Sequence, residues 1–140
     1  MSTDAAGDAP VRSRLAEFPI SFFAVVMGLS GLTLATRAAE HALGVGSVAS
    51  PWALGVSVFV FLLIGAMYLA KAALHAEAVA AEWAHPVRIA FFPAISISML
   101  LIATILVPVM PEIARPLWLT GAALQAVLTL SVVASWIGHR

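Results

Sequence analysis

Four runs of apolar residues, at about 18–39, 51–74, 86–107 and 114–137, decide the solvent of this chain before anything else. The hydrocarbon core of a bilayer, about 30 Å thick, is crossed by roughly 20 residues of α-helix. Each run is that long. Lipid offers no partner to a free backbone group, so these crossings are expected to be helices. The alternation Ile95-Ser96-Ile97-Ser98 is too short to read as a strand. The breaks GVGSVASP, HAEAVAAEWAHP and VPVMPEIARP each hold the glycine, proline or charge that ends a span. The expected fold is an all-α integral membrane protein, four transmembrane helices paired as two hairpins.

Composition agrees. Of the 140 residues 62% are hydrophobic and 10% charged, against about 25% charged in soluble domains. Seven basic and seven acidic side chains cancel, so no basic face invites nucleic acid. There is no cysteine, which excludes disulfides and thiol chemistry. Residues 1–16 are polar and are expected to form a disordered cytoplasmic tail, with one transmembrane domain over 17–140. Arg12, Arg14, Lys71, Arg88 and Arg140 fall on one side of the spans, and only Arg37 and Arg115 on the other. The positive-inside rule then predicts a multi-pass protein of the inner cell membrane with both termini cytoplasmic. Trp52, Trp83, Trp118 and Trp136 lie near span ends, where an amphipathic ring is comfortable.

A short internal repeat is visible. Phe18-Pro19-Ile20-Ser21 echoes Phe92-Pro93-Ala94-Ile95-Ser96, and Pro51-Trp52-Ala53-Leu54-Gly55 echoes Pro116-Leu117-Trp118-Leu119-Thr120-Gly121. It suggests one hairpin used twice in the same orientation.

Span one places Ser21, Ala24, Gly28, Gly31 and Ala35 on one helical face. Such a stripe either lets helices approach closely or leaves room for a solute. Pro93 removes a backbone donor and frees the carbonyl of Ile89, which predicts a kink in span three beside Ser96 and Ser98. His85 and Arg88, three residues apart at the entrance to span three, either gather anions or anchor the helix by snorkelling. Lys71 and His75 admit the same readings. Glu77, Glu82, Glu40 with His41, and Glu112 with Arg115 read as solvated groups. The four histidines show no ligand spacing, so neither a metal nor a cofactor is expected. With no clustered acid, base or nucleophile, an enzyme is not expected. The span centres are uncharged, which disfavours a proton relay and permits passage of an anion.

Two segments carry a resemblance. FPISFFAVVMGLSGLTLATRAAE is similar to the first helix of the TehA-type tellurite-resistance and C4-dicarboxylate transporter family, which includes the slow-type anion channels of guard cells. EWAHPVRIAFFPAISIS is similar to its third-helix entry. The resemblance implies five hairpins, ten helices in all, around a central pore. The first helix of each hairpin lines the pore, and the proteins assemble as trimers. Carried onto this chain, Ser21, Ala24, Gly28, Gly31, Ala35, Pro93, Ala94 and Ser98 would line a pore, with His85 and Arg88 at its cytoplasmic entrance. Small anions, of the chloride, nitrate or C4-dicarboxylate kind, would be its cargo. The chain holds four of the ten helices and no counterpart of the phenylalanine that gates the pore. Phe22, Phe23, Phe91 and Phe92 read as lipid or interface contacts. The alternative is a small non-conducting structural or regulatory membrane protein that packs with a full-length relative.

Overall fold

The computed structural model describes residues 14–138. Most of the expected tail, residues 1–13, lies outside the described residues, and residues 14–17 form a turn closed by Phe18 N–H on the Leu15 carbonyl at 3.2 Å. Five α-helices follow: α1 (Phe23–Leu43), α2 (Ser50–Leu74), α3 (Ala76–Ala84), α4 (Pro93–Leu106) and α5 (Pro111–Gly138). Short 3₁₀ turns, Ile20–Phe22 and Arg88–Phe91, lead into α1 and α4. With these turns included, four segments are long and apolar enough to cross a membrane: Ile20–Leu43, Ser50–Leu74, Arg88–Leu106 and Pro111–Gly138.

Local chemistry sets the ends. α1 stops at Gly44, whose φ of 66° is left-handed and suits a residue without a Cβ. There Gly44 N–H bonds His41 and Val45 N–H bonds Glu40, the double closure of a Schellman end. α2 has Pro51 in its first turn, where no N–H is needed. Its cap comes from the preceding helix. One carboxylate oxygen of Glu40 accepts the N–H groups of Val48, Ala49 and Ser50 at 3.0, 2.6 and 3.1 Å. Glu40 is therefore buried rather than solvated, because a carboxylate satisfies the donors and complements the dipole at a helix N-terminus. Replacing Glu40 with alanine leaves three donors without an acceptor. The thermal midpoint in detergent should fall in the order wild type, Glu40→Gln, Glu40→Ala, since glutamine keeps one carbonyl oxygen. Equal midpoints would show that water caps α2 equally well.

Pro93 does not kink a helix. It stands in the first turn of α4, and the Ile89 carbonyl that a mid-helix proline would orphan accepts Phe92 N–H at 3.2 Å in the 3₁₀ turn. α3 occupies the break HAEAVAAEWAHP between spans two and three. Its sequence AEAVAAEWA is rich in the strongest helix former.

α1 pairs with α2 and α4 pairs with α5, and the two hairpins meet chiefly along α1 and α4. Each seam carries a side-chain hydrogen bond. Thr33 and Ser57 join α1 to α2 at 2.9 Å. Ser98 donates to the Phe23 carbonyl at 3.3 Å and Arg37 to the Ile105 carbonyl at 3.1 Å, joining α1 to α4. Ser96 donates to Gln125 Oε1 at 2.6 Å, joining α4 to α5. In lipid such bonds contribute about 0.6 kcal/mol each on average. The apolar core of Phe23, Val26, Ile64, Tyr68, Ile102 and Ile105 fills the space between the helices. Phe23 and Phe92 belong to this core and not to the lipid surface: Phe23 meets Tyr68 edge-on at 5.9 Å, and Phe92 meets Trp83 at 4.7 Å. Phe22 and Phe91 are exposed as expected.

The sequence repeat is only partly a structural one. Pro51 opens α2, whereas Pro116 lies inside α5, which Pro111 opens. Gly121 is buried against Met99 and Leu100, while Gly55 faces open space.

Candidate functional site

Both α2 and α4 dock on the face of α1 that carries Phe23, Val26, Ser30, Thr33 and Glu40. The opposite face is left open. Ser21, Ala24, Gly28, Gly31 and Ala35 are all exposed, and a Cβ added at Gly28 or Gly31 meets nothing within 4 Å. Close packing within these hairpins is thus not what the small residues serve. They form an uncharged strip from the turn before α1 to Ala35.

The candidates on α4 are placed differently. Pro93 is half-buried, and Ala94 and Ser98 are buried. Ser98 spends its hydroxyl on the Phe23 carbonyl, at the start of α1. The two serines of span three therefore tie α4 to its neighbours on either side. They do not share the open strip with α1.

A second region lies at the end of the bundle where α1 and α4 begin. Lys71, which could either gather anions or snorkel, does neither: it is only 1% exposed and points inward. Its ammonium lies 2.8 Å from Glu82 Oε1 and donates to the Phe18 carbonyl at 2.7 Å. The Tyr68 hydroxyl donates to Glu82 Oε2 at 3.0 Å. Glu82, read as solvated, is buried because α3 swings it back over α2. A lysine and a glutamate withdrawn from water persist when each satisfies the other and further hydrogen bonds take up what remains. The cluster ties the last turn of α2 to α3 and to the chain entering α1. The sequence held one signal for it: a lysine within an apolar span calls for a counter-ion, and Glu82 is the buried carboxylate that the next helix supplies.

Beside this cluster opens a cleft of about 1130 Å³, whose lining includes Glu17, Ser21, Lys71, Glu77, Glu82 and Arg88. Ser21, in the turn before α1, lines the cleft and begins the open strip, so the two meet there. Of the expected entrance pair, Arg88 is exposed and lines the cleft. His85 is not on a shared helical face with it. Its backbone is extended, and its Nδ1 accepts the N–H groups of Val87 and Arg88 at 3.2 and 3.4 Å, holding the turn that leads into α4.

Comparison with known proteins bears on this arrangement. A family model described as voltage-dependent anion channel matches residues 17–140. The S-type anion channel SLAH2 of Arabidopsis thaliana is 37% identical over 94 residues, covering 64% of this chain and 18% of that protein. SLAH3 of the same plant is 33% identical over 129 residues, covering 88% and 20%. The chain thus spans about a fifth of the length of the curated relatives it matches.

Proposed function

Because the chain belongs to the voltage-dependent anion channel family, we propose that it supplies part of a path for small anions across a membrane, as a channel or transporter subunit. The observation that carries this reading is the open strip Ser21, Ala24, Gly28, Gly31 and Ala35, unpaired by any side chain at its glycines and meeting, at Ser21, a cleft that bears charged side chains. An uncharged corridor lets an anion pass without a site deep enough to trap it. Monovalent anions such as chloride or nitrate and C4-dicarboxylates are the cargo in this reading. Arg88 draws them to the mouth, with His85 shaping the turn that carries it. Pro93 opens α4, and Ala94 and Ser98 support the strip from the packed side of α1. The N-terminal end of the bundle faces the cytoplasm, the membrane is the inner cell membrane, and the assembly is a homotrimer.

The test is anion efflux from liposomes carrying the purified protein, with Gly28→Leu as the probe. Open space around Gly28 predicts unchanged folding. Efflux of chloride or nitrate should nonetheless fall at least ten-fold, because the leucine would occupy the strip. Unchanged efflux from Gly28→Leu would place the strip against lipid. No efflux from well-folded wild type favours a second reading, which rests on the same open face: a non-conducting two-hairpin protein whose strip packs on a full-length relative.

A further inference from the structure

The cleft at the N-terminal end of the bundle presents both signs of charge. Lys71 and Glu82 in its wall neutralise each other at 2.8 Å. The charges that meet a visitor therefore include Arg88, Glu17 and Glu77, all exposed. Ile20, Leu74 and Phe91 give the same cleft an apolar wall. Ile20, Leu74 and Arg88 are also terminal residues of three membrane spans, so the cleft lies at the level where hydrocarbon gives way to headgroups.

These features select a ligand. A free anion meets the carboxylates of Glu17 and Glu77 as well as the guanidinium, and a simple cation meets the guanidinium. A molecule with a phosphate next to a primary ammonium satisfies both, and an acyl chain behind it has an apolar wall to follow. We propose that the cleft holds the headgroup of a zwitterionic phospholipid with a primary amine, of the phosphatidylethanolamine type. Arg88 pairs with the phosphate, a geometry that the planar guanidinium favours. Glu17 and Glu77 take the ammonium. A quaternary amine lacks the N–H groups those carboxylates need, and an uncharged glycerol headgroup leaves both of them unmatched.

The experiment is native mass spectrometry of the purified full chain titrated with phosphatidylethanolamine, phosphatidylcholine or phosphatidylglycerol of one acyl composition, and with soluble glycerophosphoethanolamine. The ethanolamine lipid should bind at least ten-fold more tightly than the other three ligands. Arg88→Gln, and the double variant Glu17→Gln with Glu77→Gln, should each remove that preference. Because all three side chains are exposed, the variants should keep their far-ultraviolet circular dichroism. Equal binding of phosphatidylglycerol would make the cleft an anion site, and equal binding of phosphatidylcholine would deny recognition of the amine. Equally tight glycerophosphoethanolamine would deny the lipid, and unaltered preference in the variants would deny the residues. Each of these overturns the proposal. No flux enters the measurement, so the strip on α1 stands or falls separately as an anion path, whereas a lipid held on Arg88 would replace the entrance role of that residue.

Discussion

Changing Lys71 to methionine should destabilise the protein by about 3–5 kcal/mol, the usual cost of stranding one half of a buried ion pair. The side chains of Lys71 and Glu82 are 1% and 4% exposed, so little water is at hand to replace the lost partner. Glu82 would keep only the Tyr68 hydroxyl, and the Phe18 carbonyl would lose its donor. Glu82→Leu should cost a similar amount from the other side, by leaving the ammonium with the Phe18 carbonyl alone. The double variant Lys71→Met with Glu82→Leu should be much less damaged than the sum of the singles, since no uncompensated charge remains. Equilibrium unfolding of the four proteins in one detergent gives the coupling directly. Single variants that each cost less than about 1 kcal/mol would put the pair in the class of solvent-screened surface bridges, and the cluster would not be what holds α3 against α2.

Gly121→Leu carries the other large effect. A Cβ at this position would stand 3.2 Å from the Met99 Cβ and 3.3 Å from the Leu100 side chain, tighter than van der Waals contact allows. Overpacking of this kind costs about 1–3 kcal/mol, and it falls on the α4–α5 seam, where Ser96 reaches Gln125. Gly121→Ala should lie between wild type and leucine. Gly28→Leu is the matched control, the same change on a helix whose glycine meets nothing within 4 Å. Unfolding midpoints should therefore separate the two leucines clearly. If Gly121→Leu is as stable as Gly28→Leu, α5 slides aside at little cost and the second hairpin is loosely closed.

What could be read in advance, and what could not, follows from the range of each interaction. The spans were legible because an apolar run of bilayer length is a property of the chain itself, as were the small residues on one face of α1, which a helical period places together. Their openness was not, since it depends on where α2 and α4 dock. The break after Leu74 was legible, but not the nine-residue helix α3 within it, whose two glutamates read as solvated. Alanine propensity and the pull of Lys71 on Glu82 outweighed those charges. Pro93 misled for a related reason: a proline within an apolar run looks like an interruption of a helix, yet a 3₁₀ turn before it makes it a beginning. Glu40 and the pair Ser96 and Ser98 looked solvated or pore-facing in one dimension. Their partners are the backbone of the 48–50 segment, Gln125 and the Phe23 carbonyl, none of which is adjacent in sequence.

The Lys71 cluster also imposes an order on how the protein is made. Phe18, Lys71 and Glu82 leave the ribosome in that sequence, with Glu82 eleven positions behind the lysine. Until it follows, the second span ends in an ammonium with only a carbonyl to hold, and the first pair of helices has a charged end that prefers water. Arrival of α3 neutralises that end. The first hairpin is thereby completed by a residue that lies beyond its own two spans, in the link to the second.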